Sequence, residues 1–197
     1  MDKPAAAVIG DFLRRFEHTE PAQRVKILAA GVPVAAPQHV ALHHDDPWLR
    51  RRCLDLLDHH AADDSTDVFL AALDDPVAPV REIALHGLAC ERCRTTEVCV
   101  TDVVPRVIRT LDEDPAAEVR YRTLVILRNY ADRHTAAHAA LEHAATADRD
   151  PVLREGARLA LGTGLLPSRN DLARKIRKRD RTPRGPSPAS TGDLQTP

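Results

Sequence analysis

Glycine and aromatic residues are scarce in this sequence. Only 8 of its 197 residues are Gly, and Phe, Trp and Tyr together make up 3%. So few glycines leave little for turn-rich sheets or phosphate-cradling loops. So few aromatics argue against a β-sandwich or barrel, whose strands draw on aromatic and β-branched side chains. Gly-x-Gly-x-x-Gly, Gly-Lys-Ser/Thr and Gly-x-Ser-x-Gly are all missing, which removes the common dinucleotide, phosphate-loop and hydrolase signatures. No run of 18 apolar residues occurs, so nothing in the sequence is suited to cross a bilayer as a helix. The opening MDKPAAAVIGDFLRRFEH carries no long apolar stretch followed by a cleavage site. The expectation is a cytoplasmic chain without a secretory signal.

What is present is a helical vocabulary. Hydrophobic residues reach 43%, mostly Ala, Leu and Val, and charged residues reach 29%, as in an ordinary globular chain. The net charge of −1 conceals two unlike parts. Residues 1–168 hold 20 Lys and Arg against 26 Asp and Glu, a formal −6, whereas residues 169–197 hold 8 against 3, a formal +5. The second part is also rich in Pro and Ser. A boundary between folded body and tail is therefore expected near Pro167.

A repeat organises the body. Four segments align on a branched or Leu residue followed by Arg: Leu49-Arg50, Val80-Arg81, Val119-Arg120 and Leu153-Arg154, spaced by 31, 39 and 34 residues. Four residues after each anchor stand Cys53, Ala84, Thr123 and Ala157, and eight after it Leu57, Leu88, Leu127 and Leu161. Offsets of 0, 4 and 8 trace one stripe of an α-helix. Upstream of each anchor lies an Asp-Pro, at Asp46-Pro47, Asp75-Pro76, Asp114-Pro115 and Asp150-Pro151. Asp caps a helix, and Pro suits its first turn, where no backbone donor is lost. Shorter periodic stretches at 37–44, 65–73, 101–111 and 135–146 read as the partner helices. The unit is helix, acidic turn, helix.

The segments DDPVAPVREIALHGL and DEDPAAEVRYRTLVIL resemble HEAT repeats, in particular short bacterial HEAT-like ones, over about residues 37–164. The resemblance implies an all-α, right-handed α-solenoid of antiparallel helix pairs, to which composition adds a C-terminal tail that admits a short helix over 171–179 and is disordered from Thr182 onward. It divides the chain into a helical capping region over 1–36 (helices at 5–17 and 20–30), about four repeats over 37–166, and a basic, Pro/Ser-rich flexible tail over 167–197. It also implies that Arg50, Arg81, Arg120 and Arg154 form a structural ladder between repeats, with Asp46, Asp75, Asp114 and Asp150 as caps or partners. A planar guanidinium satisfies several acceptors at once, which suits it to that task. Solenoids bind other chains on their curved faces. Arg51, Arg52, Arg122 and Arg128, off the buried stripe, are expected on such a face, and Trp48 is expected either to anchor a partner or to pack on the preceding repeat.

One local anomaly stands out. The 39-residue spacing is longer than its neighbours, and the surplus lies in ALHGLACERCRTTEVCVTD, which holds Cys90, Cys93 and Cys99. His86 precedes Cys90 by one helical turn and falls off the Ala84/Leu88 stripe. His86, Cys90, Cys93 and Cys99 together have the composition of a Cys₃His zinc site, although no standard zinc-ribbon spacing is matched. Ordinary reduced thiols and redox use are the other readings. Cys53, on the stripe, reads as a small core residue. The pairs His39/His43 and His134/His138 lack the Glu of a zinc-protease helix and read as solvated faces.

Three functional readings follow. The first is a non-enzymatic scaffold that binds another protein and requires no cofactor, zinc at the cluster being an optional addition. The second is association of the tail, through Arg174, Lys175, Arg177, Lys178 and Arg179, with nucleic acid or another anionic surface and without sequence specificity. The third rests on the resemblance alone: HEAT-like repeats also occur in phycobilin lyases and alkyl-base DNA glycosylases, and the acidic, aromatic-poor body suits the glycosylase chemistry badly.

Overall fold

The computed structural model describes residues 34–89, 100–162 and 165–181, and among these every regular element is helical. In chain order they are α1 (Ala35–His43), α2 (Pro47–His60), a short 3₁₀ turn (Asp63–Ser65), α3 (Thr66–Ala72), α4 (Ala78–Ala89), α5 (Val100–Glu113), α6 (Ala117–Ala131), α7 (Thr135–Ala147), α8 (Pro151–Ala160) and α9 (Arg169–Arg181). The helices expected at 5–17 and 20–30 lie outside the described residues, as do Cys90, Cys93 and Cys99.

The Asp-Pro signals act in two ways. At α2 and α8 the Asp is the cap itself: Asp46 accepts from the Trp48 amide and Asp150 from the Val152 amide, with Pro47 and Pro151 opening the helix. Before α4 and α6 the Asp stands two residues further upstream. Asp75 Oδ1 accepts the Val77 amide at 2.8 Å and Asp114 Oδ1 the Ala116 amide at 2.8 Å, each folding the chain tightly into the helix.

Each helix buries the stripe that its spacing dictates. Leu49, Cys53 and Leu57 of α2, Val80, Ala84 and Leu88 of α4, and Val119, Thr123 and Leu127 of α6 are all buried. Leu153 and Ala157 of α8 are buried as well, and Leu161 is half-buried just beyond it. Thr123 keeps its hydroxyl satisfied by donating to the Arg120 carbonyl at 2.6 Å. Packing runs in two directions. Within pairs, α1 lies on α2, α3 on α4, α5 on α6 and α7 on α8; between pairs, α2 contacts α4, α4 contacts α6 and α6 contacts α8. One apolar core runs through all of them, centred on Phe69, Leu54, Leu85, Leu124, Ile126 and Leu141. Gly87 is required there by space: a Cβ at this position would run into the buried Phe69 ring.

Helical packing continues past Pro167. α9 packs on α8 and buries Leu172 and Ala173 against the core. Tyr121 donates its hydroxyl to the Pro167 carbonyl at 2.7 Å, and Arg169 pairs with Glu118 at 2.9 Å and Asp150 at 2.7 Å. An apolar stripe of Leu172, Ala173 and Ile176 in an otherwise charged segment is what holds this helix on the body.

Candidate interaction surface and arginine ladder

Four arginines organise the turns. In each, Nη1 donates to the carbonyl six residues upstream: Arg50 to His44 (2.7 Å), Arg81 to Asp75 (2.8 Å), Arg120 to Asp114 (2.9 Å) and Arg154 to Asp148 (2.7 Å). The Nε–Nη2 edge then reaches the carboxylate of the next turn. Arg50 holds Asp75 at 2.7 and 3.0 Å, Arg81 holds Asp114 at 2.6 and 2.8 Å, and Arg120 holds Asp148 at 3.3 and 3.4 Å. Arg154 faces no carboxylate among the described residues. Each carboxylate is therefore shared between an arginine of one repeat and an amide of its own turn, with Asp148 Oδ1 accepting the Asp150 amide at 2.7 Å.

These pairs are almost completely buried, a setting in which bidentate charge-assisted bonds are strong and losing one member is costly. The Asp75 hydrogen bond raises the Arg50 pKa above its ordinary value, and the Asp114 bond does the same for Arg81. Two shallow grooves lie along the ladder. One, of about 440 Å³, is lined by Asp112, Arg120, His143, Asp148 and Arg149; the other, of about 230 Å³, by Asp75, Arg81, Arg109, Glu113 and Asp114. The most buried charges in both are already engaged with each other.

The expected partner residues lie on α2 and α6, each of which contacts α4. Trp48 is 38% exposed at the start of α2, with the Arg52 guanidinium 5.9 Å from the ring centroid. Arg52 also bonds Asp55 at 3.3 Å. Arg122 is exposed on α6, one turn before the exposed Val125, while Arg51 and Arg128 are half-buried. Trp48, Arg52 and Asp55 on α2, Pro79, Ile83 and His86 on α4, and Glu118, Arg122 and Val125 on α6 each follow a helical spacing of three or four along their helices. Because α2, α4 and α6 contact one another in turn, these stripes lie on neighbouring helices.

A buried acid ties two of these helices together. Asp58 of α2 is fully buried, and its Oδ2 lies 2.9 Å from His59 Nδ1 and 2.8 Å from His86 Nδ1 of α4. Burial alone would push this carboxyl up. The His86 hydrogen bond and charge, followed by those of His59, bring it below its ordinary value. An Nδ1 bond of this kind is what a metal-ligating imidazole makes on the side away from its metal; it serves a purely structural imidazole equally well. Of the proposed zinc ligands His86 alone lies among the described residues.

Asp148, Asp58 and Arg169 are among the interacting residues that sequence reasoning missed. Asp148 had a signal: it stands six residues before Arg154, as Asp75 does before Arg81 and Asp114 before Arg120. Aligning on Asp-Pro concealed it. His44 fills the same position in the first unit, its Nδ1 accepting the Asp46 amide at 2.9 Å. Asp58 had none, since it looks like one more acid on a charged helix. Of the expected tail contacts, Arg174, Lys175, Arg177 and Lys178 are exposed on α9, and the side chain of Arg179 lies outside those described. No family model, no curated protein and no solved structure matches this chain.

Proposed function

We propose that this chain is a HEAT-like α-solenoid of antiparallel helix pairs and serves as a non-enzymatic, cytoplasmic scaffold that binds another protein. The observation that carries the reading is the ladder. One arginine and one turn carboxylate recur at a constant offset and join successive helical units, which is the physics of a stacked array in which each unit contacts its neighbours. Such an array offers an extended face in place of an enclosed substrate cavity. The proposed contact face runs over α2, α4 and α6, with Trp48 as the amphipathic anchor and Arg122 and Val125 beside it. An exposed Trp flanked by an arginine is the composition enriched at interface hot spots.

The reading requires no cofactor. Zinc on His86, Cys90, Cys93 and Cys99 would act as a local staple, and metal analysis of the purified protein beside Cys90→Ser tests that separately.

The face is tested by comparative capture. A partner retained by the full-length protein should be lost on Trp48→Ala combined with Arg122→Glu, with the helical circular dichroism unchanged. Capture undiminished by that double substitution would overturn the assignment of the face.

A further inference from the structure

We propose that the outward face of α9, built by Arg174, Lys175, Arg177 and Lys178, binds the phosphate backbone of nucleic acid without reading its sequence. The helix is two-sided. Leu172, Ala173 and Ile176 lie on the side that packs against the body, the first two buried and the third half-buried. At 100° per residue, Arg174 and Lys178 fall opposite that side, with Lys175 and Arg177 flanking them, and all four are exposed. The acid on this face is Asp171, in the first turn, 3.3 Å from Arg174.

The cations are displayed on a preformed helix. Ser168 Oγ accepts the Asp171 amide at 3.2 Å and donates to Asp171 Oδ2 at 2.7 Å, capping the helix. Arg169 clamps its start to Glu118 and Asp150. Binding therefore orders side-chain ends and not backbone, and preorganisation of this kind lowers the cost of association.

The chemistry of the face selects among anions. A bilayer surface is held firmly by an amphipathic helix only when an apolar side enters the acyl boundary, and the apolar side of α9 is already spent on the body. A protein interface is centred on desolvated aromatic or aliphatic anchors, and this face has none; the exposed Leu165 lies in the connector before the helix. A polyphosphate needs neither. Along a duplex each strand presents a phosphate about every 3.4 Å of axis, and Arg174 and Lys178 are about 6 Å apart along the helix, so long side chains at these four positions reach about three phosphates. The acidic remainder of the chain, formally −6 over residues 1–168, confines this contact to α9.

Fluorescence anisotropy of the full-length protein with a labelled 20-base-pair duplex of arbitrary sequence tests the proposal. About three phosphate contacts predict a slope of log affinity against log salt of about −3, or about 60-fold weaker binding at 200 mM than at 50 mM salt. A second, unrelated duplex should bind equally. Arg174→Gln with Lys178→Gln should bring the slope to about −1 and weaken binding at least tenfold at 50 mM salt, with helix content unchanged. Three results would overturn it. These are no duplex binding at 50 mM salt, an unchanged slope in the double variant while Arg179→Gln/Arg181→Gln/Arg184→Gln abolishes binding, and binding of phosphatidylserine vesicles or of a second copy of this chain in place of the duplex.

Discussion

Removing ladder arginines one at a time should give a graded loss of stability, set by what each guanidinium holds. Arg81 makes two short bonds to Asp114 and one to the Asp75 carbonyl. Arg81→Ala leaves Asp114 with a single amide donor at a site where its side chain is only 5% exposed. Breaking a buried pair from one side costs about 3–5 kcal/mol; the remaining amide bond places this case near the lower end, at about 3 kcal/mol. Arg120 holds Asp148 at 3.3 and 3.4 Å, longer than a strong charged bond, so Arg120→Ala should cost about 2 kcal/mol. Arg154 keeps one carbonyl bond at 2.7 Å, and Arg154→Ala should cost about 1 kcal/mol. With an m-value of about 2 kcal/mol/M, the urea midpoints fall by about 1.5, 1.0 and 0.5 M respectively. Circular dichroism melts in urea measure all three, and an Arg81→Ala/Asp114→Ala cycle measures the coupling. Equal costs at the three positions, or a coupling energy under about 0.5 kcal/mol, would refute the account.

Gly87→Ala should destabilise by about 1–3 kcal/mol despite the better helix propensity of Ala, because its methyl enters the space of the fully buried Phe69 ring; a raised thermal midpoint would contradict this. Burial pushes the Cys53 thiol up to about 12, so iodoacetamide at pH 8 should leave Cys53 unmodified in the native protein and modify it in urea, as read by peptide mass spectrometry. Asp58, held below its ordinary value in the folded state, contributes stability that is present above the unfolded carboxyl value near 3.9 and is withdrawn as pH falls through the lower folded value. Asp58→Asn should therefore flatten the fall of thermal midpoint below about pH 4, and a native Asp58 that titrates above the ordinary range by NMR would reverse that sign.

The helical pairs could be read from the sequence because their signal is local and redundant. The stretches 37–44, 65–73, 101–111 and 135–146 correspond to α1, α3, α5 and α7 within a few residues, since each joins apolar periodicity to a turn signal at both ends. The four arginine positions stood out by recurrence, while a role as a ladder came only from the resemblance. Their carboxylate partners stood out less: the Asp-Pro dipeptide marks a helix start in two turns and an acceptor in the other two, and only the offset from Arg separates these roles. The docking of α9 was hidden by composition. Leu172, Ala173 and Ile176 are three apolar residues among seven basic ones in α9, and average composition reports the charge while the fold depends on the stripe. Asp58 was hidden because its partner His86 lies 28 residues away, a distance that no local pattern spans.

The constant interval of six residues between turn acceptor and arginine acts as a ruler that is reset in every unit. From His44 to Asp75, Asp114 and Asp148 the intervals are 31, 39 and 34 residues, yet the step from each to Arg50, Arg81, Arg120 and Arg154 never changes. Length variation is therefore absorbed outside the measured hexad, as between the end of α4 and the start of α5. A deletion of one residue between Asp75 and Arg81 would rotate the guanidinium off its carboxylate by about a quarter of a helical turn. Residues added beyond Ala89 leave every rung in register. The hexads are thus where this sequence can least afford a frame change.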